Sequence, residues 1–398
     1  MAVYALINKE VIPYVCDGKK VTIEYLQNST HFQMEKLKKW LDVSDTTLPT
    51  ILQAKKIAKC LHMPFAGLYM NTGDINIRAI PAIKNYRTFY GSLSVDDSSL
   101  NIAICDVLQE RDFLIEESEE LGLQIPAFSV PSISSEDPAD WAKIIREYYA
   151  LSLADQYRCG SSRQFYLYLR ERLERQGIFV QCFTDVSVDI VRGFSIYDAK
   201  MPIIGINNED RAPAKSFSLI HELVHLLKRE SSVCNIMYNA TSSQAEEVFC
   251  NAVAGELLVP RDAFRIVLTN GGYKHPYTAD DIRLIAKRFS VSREVIIRRL
   301  LDTDRISNNE YDTYADEFRK EIEREREEQK LARQAGLNTR FRTSVSREAI
   351  DRTSSVVCKT LYYGYGEELY SKRDIAQHLG IAQKHVDMFL AEVSKWSR

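Results

Sequence analysis

Two histidines four residues apart, with a glutamate directly after the first, stand inside an otherwise apolar run: Phe217-Ser218-Leu219-Ile220-His221-Glu222-Leu223-Val224-His225-Leu226-Leu227. Phe217, Leu219, Ile220, Leu223, Leu226 and Leu227 give this stretch helical periodicity and anchor it by packing. On a helix, positions i and i+4 share a face about one turn apart. His221 and His225 can therefore close on a single cation. Zinc fits that role, since it takes neutral imidazole nitrogens at about 2.0–2.1 Å and keeps one position open when it is catalytic. Glu222 lies beside the first ligand, where it can take a proton from water and pass it to a leaving amine.

A catalytic zinc commonly takes three protein ligands, and the next helical pattern, about Gln244–Leu258, offers the third. Glu247 follows His225 closely enough for a turn and an antiparallel return helix. Asn251 lies one helical turn beyond Glu247 and can orient a ligand histidine through its second ring nitrogen. Glu246 points about 100° away on the helix and is the weaker candidate, and Glu256 reads as a surface or structural residue.

The rest of the chain supplies context. Its 398 residues suggest two or three domains. With 45% hydrophobic and 27% charged residues it has the composition of an ordinary globular protein, which excludes a disordered acidic tail, a collagen-like chain and a disulfide miniprotein. No apolar run is long enough to span a membrane, and the N-terminus lacks the pattern of a signal peptide. The expected location is the cytoplasm. Eight cysteines are scattered without a CxxC pair, which predicts reduced, mostly buried thiols and no cysteine-based zinc site.

Residues 1–76 read as a compact helical unit, with helical spacing over Val21–Thr30 and Gln33–Val43 and a third run in whose first turn Pro49 would sit. Residues 77–150 form a connector with a helix near Asn101–Gly122 and a loop rich in proline and serine at Pro126–Pro138. A strongly helical stretch over 139–176 ends at Gly177. The period then changes. IFVQCF (178–183), GFSIY (193–197) and MPIIGIN (201–207) read as strands, and helical spacing returns at Ala214–Lys228, Gln244–Leu258 and 280–302. The charge run over Asp316–Arg333 predicts a solvated helix held by i,i+3 pairs such as Glu321/Arg324.

FSLIHELVHLL followed by EEVFCNAVAGELLVP resembles the ImmA/IrrE metallopeptidases (the DUF955 or COG2856 group), as does the preceding INNEDRAPAKSFSLIHEL. Cys250, Val253 and Gly255 stand where that family usually has alanine, phenylalanine and alanine, and none of them is a proposed ligand. LPTILQAKKIAKCLHMPFAGLYM is similar to the last two helices of the Xre-type helix-turn-helix that precedes the peptidase in the long subfamily, and residues 337–393 resemble that subfamily's tail. The resemblance implies a gluzincin-like zinc endopeptidase with a zincin fold, a small mixed sheet on the active-site helix. It also implies a protein substrate, typically a DNA-binding repressor, and control of mobile-element, phage or stress-response genes. Substrate would add to a sheet edge, with MPIIGIN or GFSIY as the receiving strand.

The expected architecture is thus α+β and mostly helical. It comprises an Xre-like helix-turn-helix domain (1–76), a helical connector (77–150), a zincin-like metallopeptidase domain (151–305) and a charged helix with a C-terminal helical domain (306–398). If the first domain reads DNA, the amino end of its second motif helix brings His31, Gln33, Glu35, Lys36 and Lys39 to the groove, Gln33 toward adenine edges and Lys36 and Lys39 toward phosphates. Residues 1–76 carry nine lysines, no arginine and seven acidic residues, a weak basic balance that predicts weak phosphate attraction. The alternative function is a DNA-binding regulator or antitoxin-like partner with a non-catalytic metal site. Glu222 weighs against it, because a structural site needs no adjacent carboxylate outside the ligand set. Tyr238 and His275 are lesser candidates for stabilising a transition state, and Asp210 and Arg211 shape the start of the zinc helix.

Overall fold

The computed structural model describes residues 3–81, 84–85, 97–234, 245–335 and 344–396. It opens with α1 (Val11–Gly18), α2 (Ile23–Thr30), α3 (Met34–Leu41) and α4 (Ile51–Cys60), packed around Leu26, Leu37, Trp40, Ala54, Ile57 and Leu61. Thr22 caps α2 by accepting the Tyr25 N–H at 3.1 Å, and His31 closes it in the left-handed region. Pro49 does not sit in the first turn of α4. Residues 47–50 run up to the helix in extended form, held by Ala5 N–H on the Pro49 carbonyl at 2.9 Å and Ile51 N–H on the Val3 carbonyl at 3.0 Å. Thr50 is the cap and forms a reciprocal box with Gln53.

After β1 (Lys84–Asn85), helix α5 (Ser98–Glu120) carries the N-terminal cluster. Its Ile102 enters that cluster's core, and Ser98 Oγ accepts the Thr22 N–H at 2.9 Å. The helical stretch read over 139–176 is three helices, α6 (Pro138–Tyr148), α7 (Leu153–Arg158) and α8 (Ser162–Glu174), because Asp137, Ser152 and Ser161 each cap a new start.

The sheet follows. Strands β2 (Phe179–Phe183), β3 (Gly193–Ile196) and β4 (Ile203–Asn207) precede helix α9 (Ala212–Leu227), and β5 (Ser232–Cys234) follows it. The strand order is β1-β5-β3-β4-β2. β2 is parallel to β4, β3 is antiparallel to both β4 and β5, and β1 is parallel to β5. Both segments proposed as a substrate-receiving edge are therefore interior strands. β5 covers the outer side of GFSIY, and β2 covers that of MPIIGIN. Two and three residues are too few to show alternation in a sequence, so β1 and β5 were not anticipated.

Side chains of the sheet alternate between two cores. Val180, Cys182, Ile204 and Ile206 face a layer that includes α6, α8, α9 and α10 (Ala245–Leu258). That layer continues through α11 (Arg261–Asn270), α12 (Ala279–Phe289) and α13 (Arg293–Asp302). Phe179, Phe183, Phe194, Ile196 and Ile203 face the opposite way, onto α5 and the C-terminal helices α15 (Val345–Arg352), α16 (Ser355–Gly366), α17 (Lys372–His378) and α18 (Val386–Val393). The result is a mostly helical α+β molecule whose small mixed sheet is buried on both faces.

The C-terminal helices are tied to this frame by a buried polar clamp. Glu174 accepts from Ser354 Oγ at 2.8 Å and also from Ser355. Arg170 donates to the carbonyls of Asp351 at 2.7 Å and Ile350 at 3.3 Å. The charge run lies in α14 (Asn308–Gln334), which docks on the protein rather than standing free. Tyr311 and Phe318 are buried. Glu321 pairs with Arg293 of α13 at 2.7 Å instead of Arg324, and Arg293 also covers the Phe318 ring.

Candidate active site

Helix α9 starts at Ala212 with Pro213 in its first turn, where a missing N–H costs nothing. From Ser216 to Leu226 every residue is buried, because α8, α10 and the sheet enclose the helix. His221, Glu222 and His225 are completely inaccessible. Helix α10 packs along α9, and its carboxyl end is held by side chains from three other helices. Arg146 donates to the Leu257 carbonyl at 2.6 Å, Gln156 to Leu258 at 2.9 Å and Arg299 to Val259 at 3.1 Å. These donors satisfy carbonyls that a helix terminus leaves open, and they fix the helix that carries Glu247.

Two imidazole nitrogens and the two oxygens of one carboxylate meet between α9 and α10. His225 Nε2 lies 3.2 Å from His221 Nε2 and 3.0 Å from Glu247 Oε1, and His221 Nε2 lies 3.3 Å from Glu247 Oε2. Ligands of a tetrahedral zinc stand about 3.3 Å apart at the usual bond lengths, close to the spacing between the two imidazole nitrogens and from each of them to its nearer carboxylate oxygen. The donor set, two imidazoles and a carboxylate, is also one that zinc accepts. Asn251 Oδ1 is 3.0 Å from His221 Nδ1. An amide oxygen only accepts, so the proton sits on Nδ1 and the Nε2 lone pair faces the cluster.

The electrostatics agree with a cation-binding cluster. Burial opposes charge on His221, but hydrogen bonding to Glu247, the charges of Glu247 and Glu222, and Asn251 together raise its pKa. Burial likewise opposes charge on Glu247, yet the two histidines pull its pKa down to about 2. Burial pushes the Cys250 thiol well up, and its sulfur stands 3.9 Å from His225 Nδ1, the ring nitrogen that does not face the cluster.

Glu222 has asymmetric surroundings. Oε2 accepts a hydrogen bond from Ser232 Oγ at 2.7 Å. Oε1 is buried and has no hydrogen-bond partner among the described residues. Gly193 of β3 is so close that a Cβ there would stand 3.3 Å from both Cγ and Oε1 of Glu222. Ser232 and Gly193 were not foreseen, because strand pairing brings them to α9 and local spacing does not reveal it.

The other anticipated residues lie elsewhere. Glu246 turns to Lys228 at 3.0 Å, and Glu256 is a structural partner of Arg299 and of the Arg261 N–H. His275 pairs with Glu310, and Asp210 pairs with Arg192 at 3.0 Å. Tyr238 lies outside the described residues. Gln33, Lys36 and Lys39, together with His31 and Glu35, are exposed at or just before α3. Among the described residues no helix is long and apolar enough to cross a membrane.

No curated protein matches this chain. Residues 173–301 match the family model described as Peptidase_M78, the IrrE N-terminal-like domain. The match runs from the end of α8 to α13, takes in His221, Glu222, His225 and Glu247, and does not reach residues 1–76. It is in this central segment that the chain is similar to the IrrE-like peptidases, and the likeness supports a metallopeptidase-type function.

Proposed function

We propose that this chain is a zinc-dependent endopeptidase in which His221, His225 and Glu247 hold the metal and Glu222 carries the proton. The observation that supports this most directly is the cluster in which the two imidazole nitrogens stand 3.2 Å apart and each lies 3.0–3.3 Å from one oxygen of Glu247, with Glu222 on the histidines' helix. A zinc ion held there supplies Lewis acidity toward water and the scissile carbonyl. Glu222 takes the proton of the attacking water and delivers it to the amide nitrogen as the carbon–nitrogen bond breaks. Asn251 holds His221 in the ligating tautomer.

The substrate in this reading is a regulatory protein, a DNA-binding repressor by the resemblance noted above. The N-terminal unit locates that target, either by contacting its DNA through Gln33, Lys36 and Lys39 or by binding the repressor itself. Tethering in either form raises local substrate concentration. A promoter fragment retarded equally by the wild-type chain and by K36E/K39E removes the DNA arm.

Elemental analysis of the full chain is expected to give one zinc per molecule, lost in His225→Ala. Co-expression with the products of neighbouring genes is expected to yield a cleaved protein with the wild type and an intact one with Glu222→Gln. Equal cleavage by E222Q would overturn the assignment.

A further inference from the structure

Strand β3 sets two residues against the active-site acid. Gly193 lies against Oε1 of Glu222. Ser195, two positions on and therefore on the same face of the strand, lies 2.8 Å from Ser232 Oγ. Ser195 and Ser232 are direct register partners across β3 and β5, and both are completely buried. Ser232 in turn stands 2.7 Å from Glu222 Oε2.

Chemistry fixes the direction of this chain. An ionised carboxylate only accepts hydrogen bonds, and a hydroxyl has one proton to give. Ser232 gives its proton to Oε2, so the contact between the two serines must be Ser195 O–H donating to Ser232 Oγ. Each hydroxyl polarises the next in this buried setting. Oε2 is thereby occupied, whereas Oε1 has no hydrogen-bond partner among the described residues.

We propose that Ser195 and Ser232 form a positioning relay that locks the Glu222 carboxylate by Oε2 and reserves Oε1 as the atom that receives and returns the proton. The proposal rests on Glu222 as the proton carrier. It adds two residues from different strands and divides the labour between the two oxygens. Neither serine touches substrate; both act through Glu222. In the reaction, the water oxygen bonds to the scissile carbonyl carbon, its proton passes to Oε1, and that proton moves to the amide nitrogen when the carbon–nitrogen bond breaks. The Ser232–Oε2 bond persists throughout, so the carboxylate does not rotate between the two transfers.

The test uses the full chain with two independent readouts. The first is the infrared carboxylate stretch, recorded as wild-type minus Ser232→Ala and wild-type minus Ser195→Ala difference spectra. Each is recorded again in a Glu222→Gln background. A carboxylate band shift in both variants, smaller for S195A and absent in the E222Q background, is expected. The second is turnover by the zinc-loaded protein of a peptide drawn from a proteome-derived digest that the wild type cuts and E222Q does not. Here S232A is expected to lower kcat about tenfold, within the 10–100-fold cost of losing an outer-shell partner. S195A should lower it less, with KM within about twofold and zinc content unchanged. An unmoved carboxylate band in S232A, or a change confined to KM or to zinc content, overturns the relay. A chain that binds zinc and shows the band shifts yet cuts no peptide sinks the protease reading and upholds the hydrogen-bond relay, so the two failures are distinguishable.

Discussion

Asn251 Oδ1 stands 3.0 Å from Nδ1 of His221, on the side of the ring opposite the cluster. A residue with no access to the metal position thus decides which ring nitrogen faces it. Removing such a partner typically costs 10–100-fold in metal affinity. Asn251→Ala is therefore expected to weaken zinc binding by about that factor while Asn251→Asp retains most of it. Competition with a chromophoric chelator measures both, and equal affinity in all three proteins would show that the tautomer is set otherwise.

The metal-free cluster makes a pH prediction. His221 has a raised pKa, so its contribution to stability is full below its ordinary value near 6.5 and is lost as pH rises through the elevated one. Glu247 is depressed to about 2, so its contribution is full above 4.5 and is lost as pH falls through that lower value. The two overlap between about pH 4.5 and 6.5. The Tm difference between chelator-treated wild type and Glu247→Gln should be greatest in that window and shrink on both sides. Zinc affinity should rise with pH as the shared proton is removed. A pH-independent Tm difference would contradict the assignment.

Gly193→Ala places a methyl group 3.3 Å from Glu222 and from the fixed carbonyl of Gly205. The strand cannot retreat, because β3 is hydrogen-bonded on both sides. Overpacking of this kind costs about 1–3 kcal/mol. Urea denaturation should show a loss at the low end of that range, accompanied by reduced turnover. An unchanged midpoint would mean that α9 yields more readily than its burial suggests.

Glu174 and Arg170 are each 3% exposed; Glu174 accepts from Ser354 and Ser355 at the start of α16, and Arg170 donates to carbonyls at the end of α15. Truncating one member of a buried pair leaves an uncompensated charge, at a cost of about 3–5 kcal/mol. Glu174→Ala should lose that much in denaturant unfolding, and limited proteolysis of the C-terminal helices should become faster. Arg170→Met with Glu174→Leu should recover a large share of the loss, since an apolar replacement leaves no unpaired charge.

The sequence was most legible where the chemistry is local. His221, Glu222 and His225 share one helix, so spacing alone puts them on neighbouring positions, and Glu247 and Asn251 become readable because a short return helix must follow. Ser195, Ser232 and Gly193 were opaque for the opposite reason. They meet through antiparallel register between short strands, and β3 is buried on both faces, which erases the polar–apolar alternation that would mark an inward face. Shortness hid β1 and β5, and two interior strands were taken as an edge in their place. Pro49 misled in a simpler way: a proline before a helix is compatible with the first turn or with the residues preceding the cap, and only the pairing with Val3 and Ala5 decides between them.

Phe179, Phe183, Phe194 and Ile203 belong to the matched segment, yet what shields them comes from α5 on one side of it and from the helices after residue 344 on the other. Cutting the gene at the limits of the recognisable peptidase would lay bare a greasy sheet, with each of those side chains forfeiting roughly 1.5–3 kcal/mol of burial. The piece that can be transplanted between proteins is therefore wider than the piece that can be recognised, and a graft of the matched segment onto another scaffold has to carry both flanks with it.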